Sequence, residues 1–159
     1  MDTLQFQIYD SINQVWEWKD AYSIFGVMMG EGFLDALQAS SPLKPFVTNK
    51  SRLIDGERVV ITNPRKDSRS LTLGFTINGT SQSDFKTKKA AFYNYLYTGE
   101  VRLRFAPPSS GQADIRPTEE EFRFIYNGDS VAYGEDLTHT SCKVSIKFKE
   151  PNPANRSSL

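Results

Sequence analysis

The sequence predicts an α+β chain rich in strand, an antiparallel β-sandwich or partly open barrel with one main flanking helix and one short one. Three observations predict it. Several segments alternate apolar and polar residues with a period of two, the spacing that puts one row on a core and the other toward solvent. A single longer segment shows apolar residues at helical spacing. Glycines and prolines mark turns without dividing the 159 residues into two compositional halves, so one domain is expected over residues 20–150. Residues 1–19 read as an N-terminal extension and 151–159 as a flexible C-terminal tail.

Along the chain, Tyr22 to Met29 is a strand candidate, and Gly32 to Ala39 a short helix with Phe33, Leu34 and Leu37 on its buried side, ended before Pro42. Arg58 to Thr62 is a further short strand. Arg69 to Ile77 gives the clearest alternation, with Leu71, Leu73, Phe75 and Ile77 set against Ser70, Thr72, Gly74 and Thr76. The main helix is expected from about Asp84 to Tyr97, with Ser83 as N-cap, Asp84 favouring the positive end of the helix dipole, and Gly99 in the left-handed position beyond its end. Phe85, Phe92 and Leu96 form its apolar stripe. Val101 to Phe105 and Val144 to Phe148 alternate like half-buried strands. Phe122 to Tyr126 and Ser130 to Tyr133 flank Asn127-Gly128, whose tolerance of positive φ suits the turn of a hairpin. Pro107 to Pro117 is too poor in apolar residues to fix one conformation and reads as a mobile loop.

Composition narrows the function classes. Lys plus Arg and Asp plus Glu number 19 each, which removes the global positive field that steers proteins to nucleic acid or anionic lipid. Cys142 is the single cysteine, so no intramolecular disulfide can form. No stretch approaches the roughly 20 apolar residues of a membrane helix, and Met1 to Ile12 lacks the pattern of a secretory leader. The chain is expected to be cytosolic when made.

Groups able to do chemistry are few. His139 stands alone, and Glu135 and Asp136 near it lie in a glycine-containing turn, so a solvated loop histidine is preferred to a metal ligand. Cys142 beside Lys143 at the start of an alternating strand reads as a small buried hydrophobe rather than a nucleophile paired with His139. Gly30-Glu31-Gly32 lacks the third glycine and the parallel strand of a dinucleotide fingerprint, and Glu119 to Glu121 read as a solvated run. No catalytic, metal or cofactor site is therefore expected.

Trp16 and Trp18 share a face at strand spacing and suit either a stacking platform for a sugar or base, or a buried subunit contact, the reading preferred here. Lys44, Lys50, Arg52, Arg58, Arg65, Lys66 and Arg69, interleaved with Asp55, Glu57 and Asp67, suggest ion pairing within or between subunits. Candidate contact residues are thus Trp16, Trp18, Arg52, Arg58, Asp67, Arg69, Asn127 and Gly128.

A set of short elements in order bears on identity: Asp20-Ala21-Tyr22 with Gly26-Val27, Pro42 and Lys44, then Asn49-Lys50-Ser51-Arg52-Leu53 with Gly56 and Arg58. It continues with Asn63-Pro64, Asp67 and Arg69, the Phe85 and Phe92 helix ending at Gly99, and Glu150-Pro151-Asn152-Pro153 with Asn155-Arg156. From about Asp20 to Arg156 the chain resembles small tail proteins encoded by phages and prophages of gut Bacteroides-type bacteria, relatives of the distal tail and tail-tube proteins of long-tailed phages. The resemblance implies an antiparallel sandwich or barrel with a flanking helix, assembled as a six-membered ring around the DNA channel. It also implies partners among other tail proteins, DNA only as passing cargo, and a place first in the host cytoplasm and then in the virion tail. Subunits would join through sheet edges and loops, because a closed ring satisfies edge groups that an isolated sheet leaves open. The alternative expectation is a carbohydrate-binding β-sandwich module that contacts a host glycan through Trp16 or Trp18.

Overall fold

The structure, a computed structural model, describes residues 4–49, 55–56, 58–61, 63–114, 116–117, 121–128 and 132–155. Its elements run β1 (Leu4–Asp10), β2 (Val15–Asp20), α1 (Ala21–Phe25), β3 (Val27–Met29), α2 (Phe33–Gln38), β4 (Val47–Asn49) and β5 (Arg58–Val60). They continue with β6 (Arg69–Asn78), α3 (Gln82–Leu96), β7 (Glu100–Phe105), β8 (Glu121–Tyr126), β9 (Ala132–Glu135) and β10 (Ser141–Glu150). The fold is β-rich α+β, as the alternating segments predict. Eight strands form one open antiparallel sheet in the order β2-β1-β7-β8-β10-β6-β3, with β9 also paired to β10, while β4 and β5 form a separate two-stranded ribbon.

Register follows the alternation. Residues directly opposite in an antiparallel pair share a face, and here buried residues oppose buried residues: Phe6 meets Leu103, Val101 meets Phe124, and Val144 meets Phe75. A slip of one residue would turn all these rows outward, so burial of one face fixes the pairing.

The sheet is strongly curled. In a flat sheet β1 and β6 would lie four strand spacings apart, about 19 Å, yet the rings of Phe6 and Phe75 sit with centroids 6.4 Å apart. The edges β2 and β3 are joined in sequence through α1 and Gly26 alone. From α3, Phe92 reaches the space between them and touches Phe6, Phe25 and Phe75. From α2, Phe33 packs edge-on against Phe75 and Phe105. The sheet nevertheless stays open, with no pairing between β2 and β3 to close it, an α+β, β-rich arrangement consistent with the expected sandwich.

Several elements differ from the sequence expectation for local reasons. Residues 4–20 are not an appended extension; they form two strands of the main sheet. The expected strand over Tyr22 to Met29 becomes α1 and then the short β3. The Asp20 carboxylate caps α1 by accepting from the Ser23 amide at 3.1 Å, and Gly26, at φ +66, ends it with its amide on the Tyr22 carbonyl. A Cβ on Gly26 would lie 2.2 Å from the Asn78 carbonyl oxygen, so only glycine allows β3 to meet β6 at this corner. Ser81 rather than Ser83 is the N-cap of α3, its hydroxyl accepting from the Asp84 amide. Gly99 does adopt a left-handed conformation beyond the helix end.

The expected Asn127-Gly128 hairpin is also corrected. Segments β8 and β9 do not pair with each other but follow one another along the same edge of β10, with Tyr126 opposite Phe148 and Ala132 opposite Ser145. The long edge of β10 offers the buried row Cys142, Val144, Ile146 and Phe148, and that tertiary pairing overrides the local turn preference. The hairpin lies one step later, between β9 and β10.

At the far end of the core rows Arg69 stands opposite Glu150. Both are buried. The Arg69 guanidinium donates to Glu150 Oε2 at 2.9 Å through Nε, and to the Ala39 and Leu37 carbonyls at the end of α2. A charge in this position is tolerated because every face of it is engaged. Removing one partner strands the other: Arg69→Ala should lower stability by about 3–5 kcal/mol in urea unfolding. Adding Glu150→Gln should restore part of that loss, since the buried charge is gone; a second change that adds fully to the first would contradict the pairing.

Candidate functional site

The β1–β2 hairpin turns through Asp10, whose carboxylate accepts from the amides of Ile12 and Asn13 and from the Asn13 side chain. This Asx turn places Trp16 opposite Tyr9 and Trp18 opposite Gln7. The tryptophans share a face, as their spacing predicts, but their environments differ. Trp18 is half-buried beneath the Arg104 guanidinium, 4.5 Å from its ring centre, while Gln5 holds Arg104 from the side. Trp16 is 63% exposed and leans on Tyr9 with ring centroids 5.3 Å apart.

Beside this hairpin the sheet divides. Pairing of β1 with β7 stops at Phe6 and Leu103, so the hairpin tip parts from β7 and leaves a notch of about 620 Å³. Tyr9 and Trp16 form one wall, Glu100 and Arg102 the other, and Phe25, Ala91 and Tyr95 line it as well. The Tyr95 hydroxyl spans the divide: it donates to the Gln7 carbonyl at 3.0 Å and accepts from the Arg102 amide at 3.3 Å, replacing the strand hydrogen bonds that the split removes. Burial pushes its pKa up to about 12, against the opposing effect of the Arg102 backbone. The hydroxyl is therefore neutral and able to donate throughout the physiological range.

On the β7 wall, Glu100 Oε1 accepts from Arg102 Nε at 2.8 Å and from Arg123 Nε at 2.9 Å. Burial raises the Glu100 pKa, but the two arginines outweigh it and hold the carboxyl below its ordinary value. Among the described residues, Arg102 Nη2 is buried without a hydrogen-bond partner. A buried guanidinium donor without an acceptor is costly. Size, aromatic walls and a few polar groups give this notch the character of a binding site.

A second polar cluster lies at the β9–β10 turn. Asp136 organises that turn, accepting from the amides of Thr140 and Ser141 and from the Thr138 hydroxyl. Glu135 accepts from the Tyr133 hydroxyl at 2.5 Å, pairs with His139 Nδ1 at 2.7 Å and lies 3.5 Å from Lys89 of α3. The Tyr133 and His139 hydrogen bonds hold the Glu135 pKa at about 2. His139 is thus tied to Glu135, while Cys142 is buried with its thiol pKa raised by desolvation. Among the described residues no group of three His, Cys, Asp or Glu side chains could hold a metal ion, and no helix is long and apolar enough to cross a membrane.

The other candidate residues are dispersed. Arg69 is turned into the core. Arg58 stands in β5 of the small ribbon, and Asp67 gives its carboxylate to the adjacent Ser68 amide. Asn127 and Gly128, the latter at φ +79, sit at the break between β8 and β9. Arg52 lies outside the described residues. Of the described candidates, the structure brings only Trp16 to the notch. Sequence reasoning missed Tyr9, Tyr95 and Arg102; Asp10-Ser11-Ile12-Asn13 was the available signal, since a turn there pairs Tyr9 with Trp16.

No protein-family model matches the chain, and neither does any curated protein.

The low Glu135 pKa sets a direction with pH. Its folded value lies below the ordinary 4.5, so this contribution to the turn is complete above that value and disappears as pH falls toward 2. A carbon-detected NMR titration of Glu135 should find a midpoint near 2, moving upward in Tyr133→Phe, which removes the strongest hydrogen bond. An ordinary midpoint in both proteins would contradict the geometry.

Proposed function

We propose that this chain is a self-assembling structural subunit of a phage or prophage tail, of the distal-tail or tail-tube kind, built into a ring around the DNA channel. The observation that carries the self-assembly is the edge hairpin β1–β2, which holds Tyr9 and Trp16 exposed side by side on one face of an open sheet, with Ile12 exposed at its turn. Scattered exposed apolar residues are ordinary, but an aromatic group on one hairpin beside a cleft has the composition of an interface core. The assignment to a tail comes from the ordered resemblance between Asp20 and Arg156. Equal numbers of acidic and basic residues suit a conduit that lets DNA pass without gripping it. In this reading the protein acts first in the host cytoplasm and then in the virion.

Multi-angle light scattering across a wide concentration range, alone and with neighbouring tail proteins, should reveal a discrete oligomer. Trp16→Arg should weaken its association by about tenfold or more while leaving the fold intact. A wild-type protein that stays monomeric in every mixture would defeat the proposal.

The notch supports a second reading, a glycan-binding module, because it sets Trp16 and Tyr9 beside Gln7, Asn94 and Arg102. Aromatic faces with planar hydrogen-bonding groups suit sugar rings. Glycan-array binding that vanishes in Trp16→Ala, with no oligomer at any concentration, would favour this reading over the first.

A further inference from the structure

We propose that the solvent face of the main sheet binds single-stranded nucleic acid, with phosphates along Arg123, Lys147 and Lys149 and bases toward Trp16 and Trp18. The inference goes beyond the tail reading and does not depend on it.

Equal totals of acid and base conceal a segregated surface. On β7, β8 and β10 the charged residues that alternate with the buried rows are Arg102, Arg104, Arg123, Lys143, Lys147 and Lys149, with Glu100 and Glu121 as the acids among them. Arg102 and Arg123 stand directly opposite each other and share the Glu100 carboxylate, so a positive charge is left over. The lysines of β10 face Ser70, Thr72 and Thr76 of β6 rather than acids. Among the described residues none of the three lysines has an ion-pair partner. Lys147 and Lys149, two residues apart on one face, lie about 7 Å apart along the strand. That step is close to the one between successive phosphates of an extended single strand, and unpaired cations so placed can take the place of its counterions.

The other half of the face suits bases. Register carries it from Arg104 to Gln5, and along β1 to Gln7 opposite Trp18 and Tyr9 opposite Trp16. Trp16 leaves most of its ring open, and the Arg104 guanidinium lies over Trp18. Bases stack on aromatic rings and on guanidinium groups, and amides such as those of Gln5 and Gln7 match their hydrogen-bonding edges. An acidic peptide would use the cations but has no need of this row. Because the sheet curls around its core, the face is convex; a stiff duplex would meet it along one line, whereas a single strand can follow it. Held nucleic acid would obstruct a channel, so within a ring this face would be turned away from the lumen.

Fluorescence anisotropy of a labelled oligothymidylate of about 15 nucleotides provides the test. It is measured on the full chain below any self-association, since a subunit contact through Trp16 would compete. Affinity should fall steeply with salt and exceed that for a hairpin duplex with the same number of phosphates. Lys147→Glu with Lys149→Glu should weaken binding about tenfold or more, and Trp16→Ala about fivefold or more. Lys44→Glu with Lys86→Glu, the same change of charge at two exposed sites elsewhere, should leave it within about twofold. No binding at low salt, duplex or heparin bound as tightly as the oligonucleotide, or an equal loss in both charge-reversed proteins would overturn the proposal. None of these outcomes bears on the light-scattering test of assembly.

Discussion

Only α1 and Gly26 separate the edge strand β2 from the edge strand β3, and this short connection obliges the sheet between them to return on itself. The core is a consequence. Rings from β1, β6, α1 and α3 meet through Phe6, Phe75, Phe25 and Phe92, which a flat sheet could not bring together. The same corner explains why small capping residues matter so much: Asp20 begins the turn, and Gly26 ends it against the Asn78 backbone. Neither buries appreciable apolar surface, yet both decide where apolar surface can be buried.

Curling a sheet this tightly has a second consequence at the β1–β7 border. Three residue pairs join those strands before they part, and the backbone groups beyond would be left without partners inside the protein. Tyr95 resolves the conflict with one hydroxyl, bonded to both strands. The notch is thus the far side of a structural compromise, maintained by a residue whose ring belongs to the core and whose polar tip belongs to the opening. Arg102 shows how far the compromise extends: its Nε is satisfied by Glu100, and its Nη2 is not.

What was legible in the sequence was the local periodicity. The alternation in β6, β7 and β10 and the stripe of α3 reflect burial on one face, which is written residue by residue. Partner choice was not legible. Asn127-Gly128 has the chemistry of a hairpin turn, but β10 lies in sequence after both segments it might have joined, and it took both. Arg69 illustrates the same limit, because its charge suggests a surface contact, whereas its place opposite Glu150 exists only once β6 and β10 pair. Trp16 was identifiable from spacing alone. The notch was not, since Tyr9, Tyr95 and Arg102 come from three elements that no local pattern connects.

The free edge of β2 bears on how such a chain avoids indiscriminate association. An open sheet invites strand-to-strand pairing, and exposed edges with charged residues resist it. Val15, Glu17 and Lys19 alternate with the tryptophans along β2, and Glu17 and Lys19 pair with each other at 3.5 Å on the surface. Extending the sheet across this edge would crowd that pair and require its partial desolvation. The aromatic face and the tight turns carry no comparable penalty. Association directed through side-chain surfaces, rather than through backbone edges, depends on shape and can therefore discriminate one neighbour from another, which a backbone ladder alone does poorly.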